Sequence, residues 1–169
     1  DSFTRANEID PSTYSHHALG LTYLNLGRKQ DAIDSFKEAI SILPDNFYAH
    51  RDLGLTYNQL GQHQNAVDSY REAIHINPDD LDTRTVIGHS YLILGNNKEA
   101  IVQLKKALEL DPNNFSSNIN YAMAHANLDK HAVAIIFFEA AVRIKPDSFY
   151  AQNALGSGYL DLNKFKKAI

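Results

Sequence analysis

Over residues 13–46, apolar side chains recur at helical steps in two runs divided by a short break. The first carries Leu19, Tyr23 and Leu26 and is interrupted at Gly27. The second carries Ala32, Ile33, Phe36, Ala39 and Ile40 at three- and four-residue steps and stops before Pro44. Such spacing predicts two amphipathic helices. Glycine lets the chain turn through positive φ after the first helix. Proline disfavours helical geometry in the residue before it and ends the second. The same pair of patterns returns over 47–80, 81–114 and 115–148, and its opening returns over 149–169. No alternation of strand period competes over a comparable length.

The recurrence has a fixed step of 34 residues. It spaces Pro44, Pro78, Pro112 and Pro146, the alanines Ala32, Ala66, Ala100, Ala134 and Ala168, and the glycines Gly27, Gly61 and Gly95. Asp129 and Asn163 fall at the next two glycine steps, and both residue types tolerate the left-handed turn conformation, so turns are predicted there too. LGLTY stands at 19–23 and again at 53–57. Repeats of this size are stacked supersecondary units, each burying its apolar face on its neighbours. The predicted fold is all-α, an α-solenoid of stacked antiparallel helix pairs. Phe3, Ala6 and Pro11 match the spacing of Phe36, Ala39 and Pro44, so residues 1–12 read as the tail of a preceding repeat. FKKAI at the far end lies within a second helix, and the chain is expected to be a piece of a longer repeat protein.

Composition removes several function classes. A net charge of -4 gives no electrostatic grip on a phosphate backbone, so nucleic acid is not an expected partner. No apolar run approaches the ~20 residues of a membrane span. The absence of cysteine excludes thiolate chemistry and is compatible with either redox compartment. Eight histidines raise the question of metal, but none has the HExxH spacing that puts two imidazoles on one helical face. His16 and His50 hold equivalent repeat positions, and packing or surface roles are the expectation for both. There is no phosphate-cradling loop or nucleophile elbow, and Glu38, Glu72 and Glu139 lie among lysines and arginines as solvated charge. Neither catalysis nor a cofactor is expected.

Leu19, Gly20, Tyr23, Ala32, Phe36, Ala39 and Pro44, then Leu53, Gly54, Tyr57, Ala66, Tyr70, Ala73 and Pro78, are similar to the tetratricopeptide repeat pattern. The third copy has Ile87 and Leu104, the fourth has Tyr121, Ala122 and His125, and the fifth returns to Leu155, Gly156 and Tyr159. One departure is systematic: where the family has a leading aromatic, this chain has His16, His50, Arg84, Asn118 and Gln152.

The resemblance implies that the first helix of each repeat lines a concave groove for an extended peptide or partner segment. Groove residues implied by it are Tyr14, His17 and Leu21 in the first full repeat, and Tyr48, Arg51, Asp52, Leu55 and Asn58 in the second. Thr85 and His89 follow, then Ile119, Asn120, Met123 and Asn127, and finally Tyr150 and Asn153. Tyrosines and aliphatics can bury ligand side chains, and amides can bond a peptide backbone in both directions. Some family members clamp a terminal carboxylate with cationic residues. His17, Leu21, Asp52, Asp82 and Val86 at those positions cannot build such a pocket. The expected role is a non-catalytic interaction scaffold. The alternatives are the substrate-recruiting arm of a larger enzyme and a self-associating module.

A second apolar stripe appears in the fourth repeat. Val133, Ile136, Phe137 and Ala140 stand where earlier repeats have Asp31, Asp34, Ser35 and Glu38, and Val102 begins the change in the third. Since a helix apolar on all sides is normally covered, this outer face is expected to be a contact for a second copy or for another part of the protein.

Overall fold

The computed structural model describes the backbone of residues 11–168 and the side chains of 15–163. The repeat tail expected at residues 1–12 falls largely outside them, as does the side chain of Tyr14. Within the described residues the chain is helical: α1 (Pro11–Asn25), α2 (Lys29–Ile42), α3 (Phe47–Gln59), α4 (His63–Ile76), α5 (Leu81–Ile93), α6 (Asn97–Leu110), α7 (Phe115–Ala126), α8 (His131–Ile144) and α9 (Phe149–Ala168). No helix of the structure is long and apolar enough to cross a membrane.

Each expected proline lies just beyond a helix. Leu43, Asn77, Asp111 and Lys145 close α2, α4, α6 and α8 with extended backbone, as the residue before proline requires. Two residues after each proline stands a cap for the next helix. Asn46 accepts from the Ala49 amide at 3.1 Å, Asp80 from Thr83 at 2.7 Å, Asn114 from Ser117 at 2.9 Å and Ser148 from Ala151 at 3.3 Å. Each such cap typically contributes about 1 kcal/mol. One short segment thus ends one helix and starts the next.

The tight turn inside each pair passes through positive φ at Gly27 (74°), Gly61 (71°), Gly95 (77°) and Asp129 (58°). The turn expected at Asn163 does not form, and α9 continues through it to Ala168. Asparagine occupies right-handed helix at modest cost, and the good helix formers after it favour continuation.

The chain divides into two compact units, residues 1–78 and 79–169. In the first, α1 packs on α2, α3 on α4, and α3 on α2. Ala32, Ile33, Phe36 and Leu53 form its buried centre, with Tyr23 and Tyr57 against them. Leu53 is covered from the preceding pair, whereas its equivalent Leu19, at the start of the described stack, is partly exposed. In the second unit α5 to α9 stack in the same manner. Ala100, Leu104 and Ala124 fill one layer, and Ile119, Ala122, Ala134, Phe138, Ala141 and Ala151 the next. Close approach within a pair depends on its glycine: a Cβ added at Gly54 would lie 2.7 Å from carbons of the Tyr70 ring.

The polar residues in place of the leading aromatic have a structural role that the pattern alone did not reveal. His50 Nε2 lies 2.8 Å from the carbonyl oxygen of Pro44, Asn118 Nδ2 donates to Pro112 at 2.9 Å, and Gln152 Nε2 to Pro146 at 2.6 Å. Because a carbonyl only accepts, His50 carries its proton on Nε2. These bonds give a partner to the proline's own carbonyl, which lies in the connection between two helices.

Candidate functional site

In the first unit the residues expected on the first-helix face cluster around one acid. Asp52, on α3, is only 5% exposed. Its Oδ2 accepts from His17 Nε2 on α1 at 2.8 Å, and its Oδ1 from Arg51 Nε at 3.1 Å. A buried carboxylate needs such donors, and here the chain supplies them. The guanidinium of Arg51 also lies over the rings of Phe47 and Tyr48, 5.6 and 5.3 Å from their centroids. The His17 ring is 5.5 Å from that of Phe36. Tyr48, Leu55 and Leu21 are left exposed around this closed polar group.

Asn58 belongs to the scaffold. It donates to the Tyr70 hydroxyl at 3.4 Å and accepts from His63 Nδ1 at 2.9 Å, tying α3 to α4 across their turn. Burial pushes the Tyr70 phenol up to about 12, so its hydroxyl stays protonated at neutral pH.

In the second unit the expected residues separate. Thr85 is buried, donating to the Leu81 carbonyl at 2.8 Å and meeting the Ser117 hydroxyl at 2.7 Å, which joins α5 to α7. Ile119, at 3% exposure, is a core residue. Thr85 is held on the contact with the next helix pair, and Ile119 is packed in a cluster with Ala134, Phe138, Ala141 and Ala151. His89 is exposed. Asn127 donates to Asn97 at 2.9 Å and pins the start of α6.

The remainder form a neutral face. Tyr150, on α9 and 55% exposed, donates its hydroxyl to the sulfur of Met123 at 3.1 Å, and Asn153 is exposed one turn further on. Asn120 stands at the repeat position of Asp52, two 34-residue steps later, and is likewise nearly buried at 8%. Among the described residues its amide has no hydrogen-bond partner. His17 and Arg51, which serve Asp52, have Thr85 and Ile119 as their counterparts, one engaged with Ser117 and the other apolar. Asn120 is mostly buried as a residue, but its amide nitrogen and oxygen are not among the buried unpartnered atoms, so they can take a donor and an acceptor from outside.

The outer stripe of α8 is only partly free. Phe137 packs edge-to-face on Tyr121 at 4.6 Å between centroids, and Val133 and Ala140 are half-buried. The position of Phe137 is not a wet one in this chain, since its equivalents Ser35 and Ser69 are both buried and bond the carbonyls of Asp31 and Asn65. Val102 and Ile136 are exposed, at 53% and 57%, and hold the same position in successive repeats. Among the described residues no three histidine or carboxylate side chains are grouped to hold a metal ion.

Family models described as tetratricopeptide repeat match residues 17–80 and 115–148, and one described as TPR repeat matches 88–130. Among solved structures, a MamA protein superposes with a TM-score of 0.87 at 20% identity, over 93% of this chain and 86% of its own. MamA from Desulfovibrio magneticus RS-1 gives 0.87 at 17% identity, over 94% and 90%. YrrB, described as a TPR protein with an unusual peptide-binding site, gives 0.83 at 20% identity, over 100% and 88%. No curated protein sequence matches the chain. Likenesses at these identities bear on fold alone.

Proposed function

The chain belongs to the tetratricopeptide repeat family, and on that premise we propose that it is a non-catalytic scaffold. It binds an extended protein segment on its first-helix faces and so helps assemble a complex. The observation that carries this reading is the Asn120 side-chain amide, without a hydrogen-bond partner among the described residues, one turn before Met123, whose thioether accepts from the exposed Tyr150. An extended backbone offers the N–H and C=O pair that one amide can satisfy, and Tyr150 and Met123 offer apolar surface for a neighbouring side chain. That YrrB is described as having a peptide-binding site supports the same reading by analogy of fold.

The test is selection of binders from a random peptide library at neutral pH, followed by affinity measurements on variants. Tyr150→Ala is expected to weaken a selected peptide by about 30-fold, as loss of an aromatic anchor does. Asn120→Ala is expected to weaken it by about 3- to 10-fold, the net worth of one or two hydrogen bonds. Peptides that bind both variants as tightly as the parent would refute the assignment.

A second reading, pairing of two copies, is favoured by Val102 and Ile136, exposed apolar side chains at one repeat position. With Phe137 engaged by Tyr121, the surface available to that contact is small.

A further inference from the structure

We propose that His125 is an acid-sensitive switch that loosens the α7–α8 pair when its imidazole takes up a proton. Its repeat position is tyrosine at Tyr23, Tyr57, Tyr91 and Tyr159. A tyrosine there needs one polar partner, as when the Tyr159 hydroxyl donates to Glu139 at 2.5 Å. Histidine brings two ring nitrogens to the same place. At 8% exposure His125 has both Nδ1 and Nε2 buried and without a hydrogen-bond partner. Its ring packs edge-on against Tyr121 at 4.6 Å, and Tyr121 in turn packs on Phe137.

Neutral imidazole has one donor and one acceptor, whereas the imidazolium has two donors and a charge, so protonation in this setting deepens an existing deficit. The surrounding groups do not relieve it. Burial lowers the imidazole from its ordinary value, and Lys130, at the start of α8, adds like charge in the same direction. The Asp129 carboxylate in the turn lies 3.7 Å from His131 Nε2. The Tyr121 phenol is raised by burial and, to a lesser extent, by Glu109 on α6, which pairs with Lys105 at 3.8 Å. From α5 the ring in this layer is Tyr91, and α9 meets α7 through Tyr150 on Met123. Among the described residues no carboxylate pairs with His125.

The sign follows from proton linkage. An unfolded histidine takes up its proton near pH 6.5, while the folded one resists until lower pH. The opened state therefore binds more protons below about 6.5, and stability falls as pH falls through that window. The opening is local, because the His125 ring is buried against Tyr121, whose own ring packs on Phe137 of α8. Loss of the Asn120 and Met123 face in acid is a further consequence, and it alone rests on the peptide-binding reading.

The experiment compares the parent chain with His125→Tyr, which restores the residue of the other repeats, and with His125→Phe. An NMR titration follows the His125 ring protons, and amide hydrogen exchange over residues 115–144, corrected for intrinsic rate, is read between about pH 7.5 and 5. The ring is expected to titrate below its ordinary value of about 6.5. Protection in the parent should fall with acid by up to about tenfold per pH unit more than in either variant. Titration at or above 6.5, or equal loss of protection in parent and variants, would overturn the switch. Titration and exchange can both be read on the parent chain alone, so titration at or above 6.5, or protection over residues 115–144 that does not fall with acid, overturns the switch even if both variants fail to fold. Peptide affinity at pH 7.5 reports on the binding face independently.

Discussion

Asp52 and Asn120 occupy the same place in the repeat and differ by one functional group, yet their surroundings have opposite character. Asp52 is held by His17 and Arg51 and is closed to anything outside the chain. Asn120 is as deeply placed and has no protein partner among the described residues. The repeat fixes where a side chain sits, whereas the residues one repeat earlier and one position away decide whether its hydrogen-bonding groups are satisfied within the chain. Position in a repeat is therefore insufficient evidence for a binding residue. The decisive question is what its neighbours have already satisfied.

The largest effect that sharpens this contrast is on affinity. Tyr150→Ala is expected to cost a selected peptide about 30-fold, and Tyr48→Ala much less, if the second unit carries the binding face. Next comes stability. Asp52→Ala removes two charge-assisted hydrogen bonds and leaves His17 and Arg51 without their acceptor. Because both partners are partly exposed, a loss of about 2 kcal/mol is expected in urea unfolding. Asn120→Ala breaks no bond within the protein and should stay within about 0.5 kcal/mol. Equal costs for the two substitutions would break the comparison.

A smaller effect is expected at the replaced aromatic position. Asn118→Leu should cost about 1 kcal/mol by leaving the Pro112 carbonyl unpaired, although leucine is closer to the family's apolar residue. Thermal unfolding of that variant measures it. The smallest concerns the outer face. Ile136→Asp, at an exposed site, should change stability by less than about 0.5 kcal/mol. Light scattering of the parent and this variant tests pairing: a dimeric parent and a monomeric variant would support it, and a parent that is already monomeric would remove it.

The scaffold was legible because its signals are backbone requirements repeated at a fixed step. Pro44 and its equivalents end helices wherever they stand, and Gly27, Gly61, Gly95 and Asp129 supply positive φ. Asn163 failed as a signal because asparagine permits the turn without requiring it. The candidate site was legible only in part. Leu21, Tyr48, Leu55 and Tyr150 are exposed. Ile119 and Thr85 were absorbed by the neighbouring helix pair, a contact that depends on how far each first helix is rotated. Phe137 looked unpartnered because Ser35 and Ser69 look polar, yet both serines bond their own helix and are buried. The deficit at His125 had a visible trace in the sequence, a histidine in a tyrosine column, but its two unsatisfied nitrogens became apparent only from the packing around it.

The proposed contrast is that Asn120 offers its amide to a ligand, whereas Asp52 is held by His17 and Arg51. Its most direct measurement is the response of the assigned Asn120 side-chain NH2 resonances to a library-selected peptide, with the His17 and Arg51 side-chain signals recorded in the same titration. A saturable shift of the Asn120 amide is expected, with little change at His17 and Arg51. Binding that moves His17 and Arg51 and leaves Asn120 unchanged would contradict it.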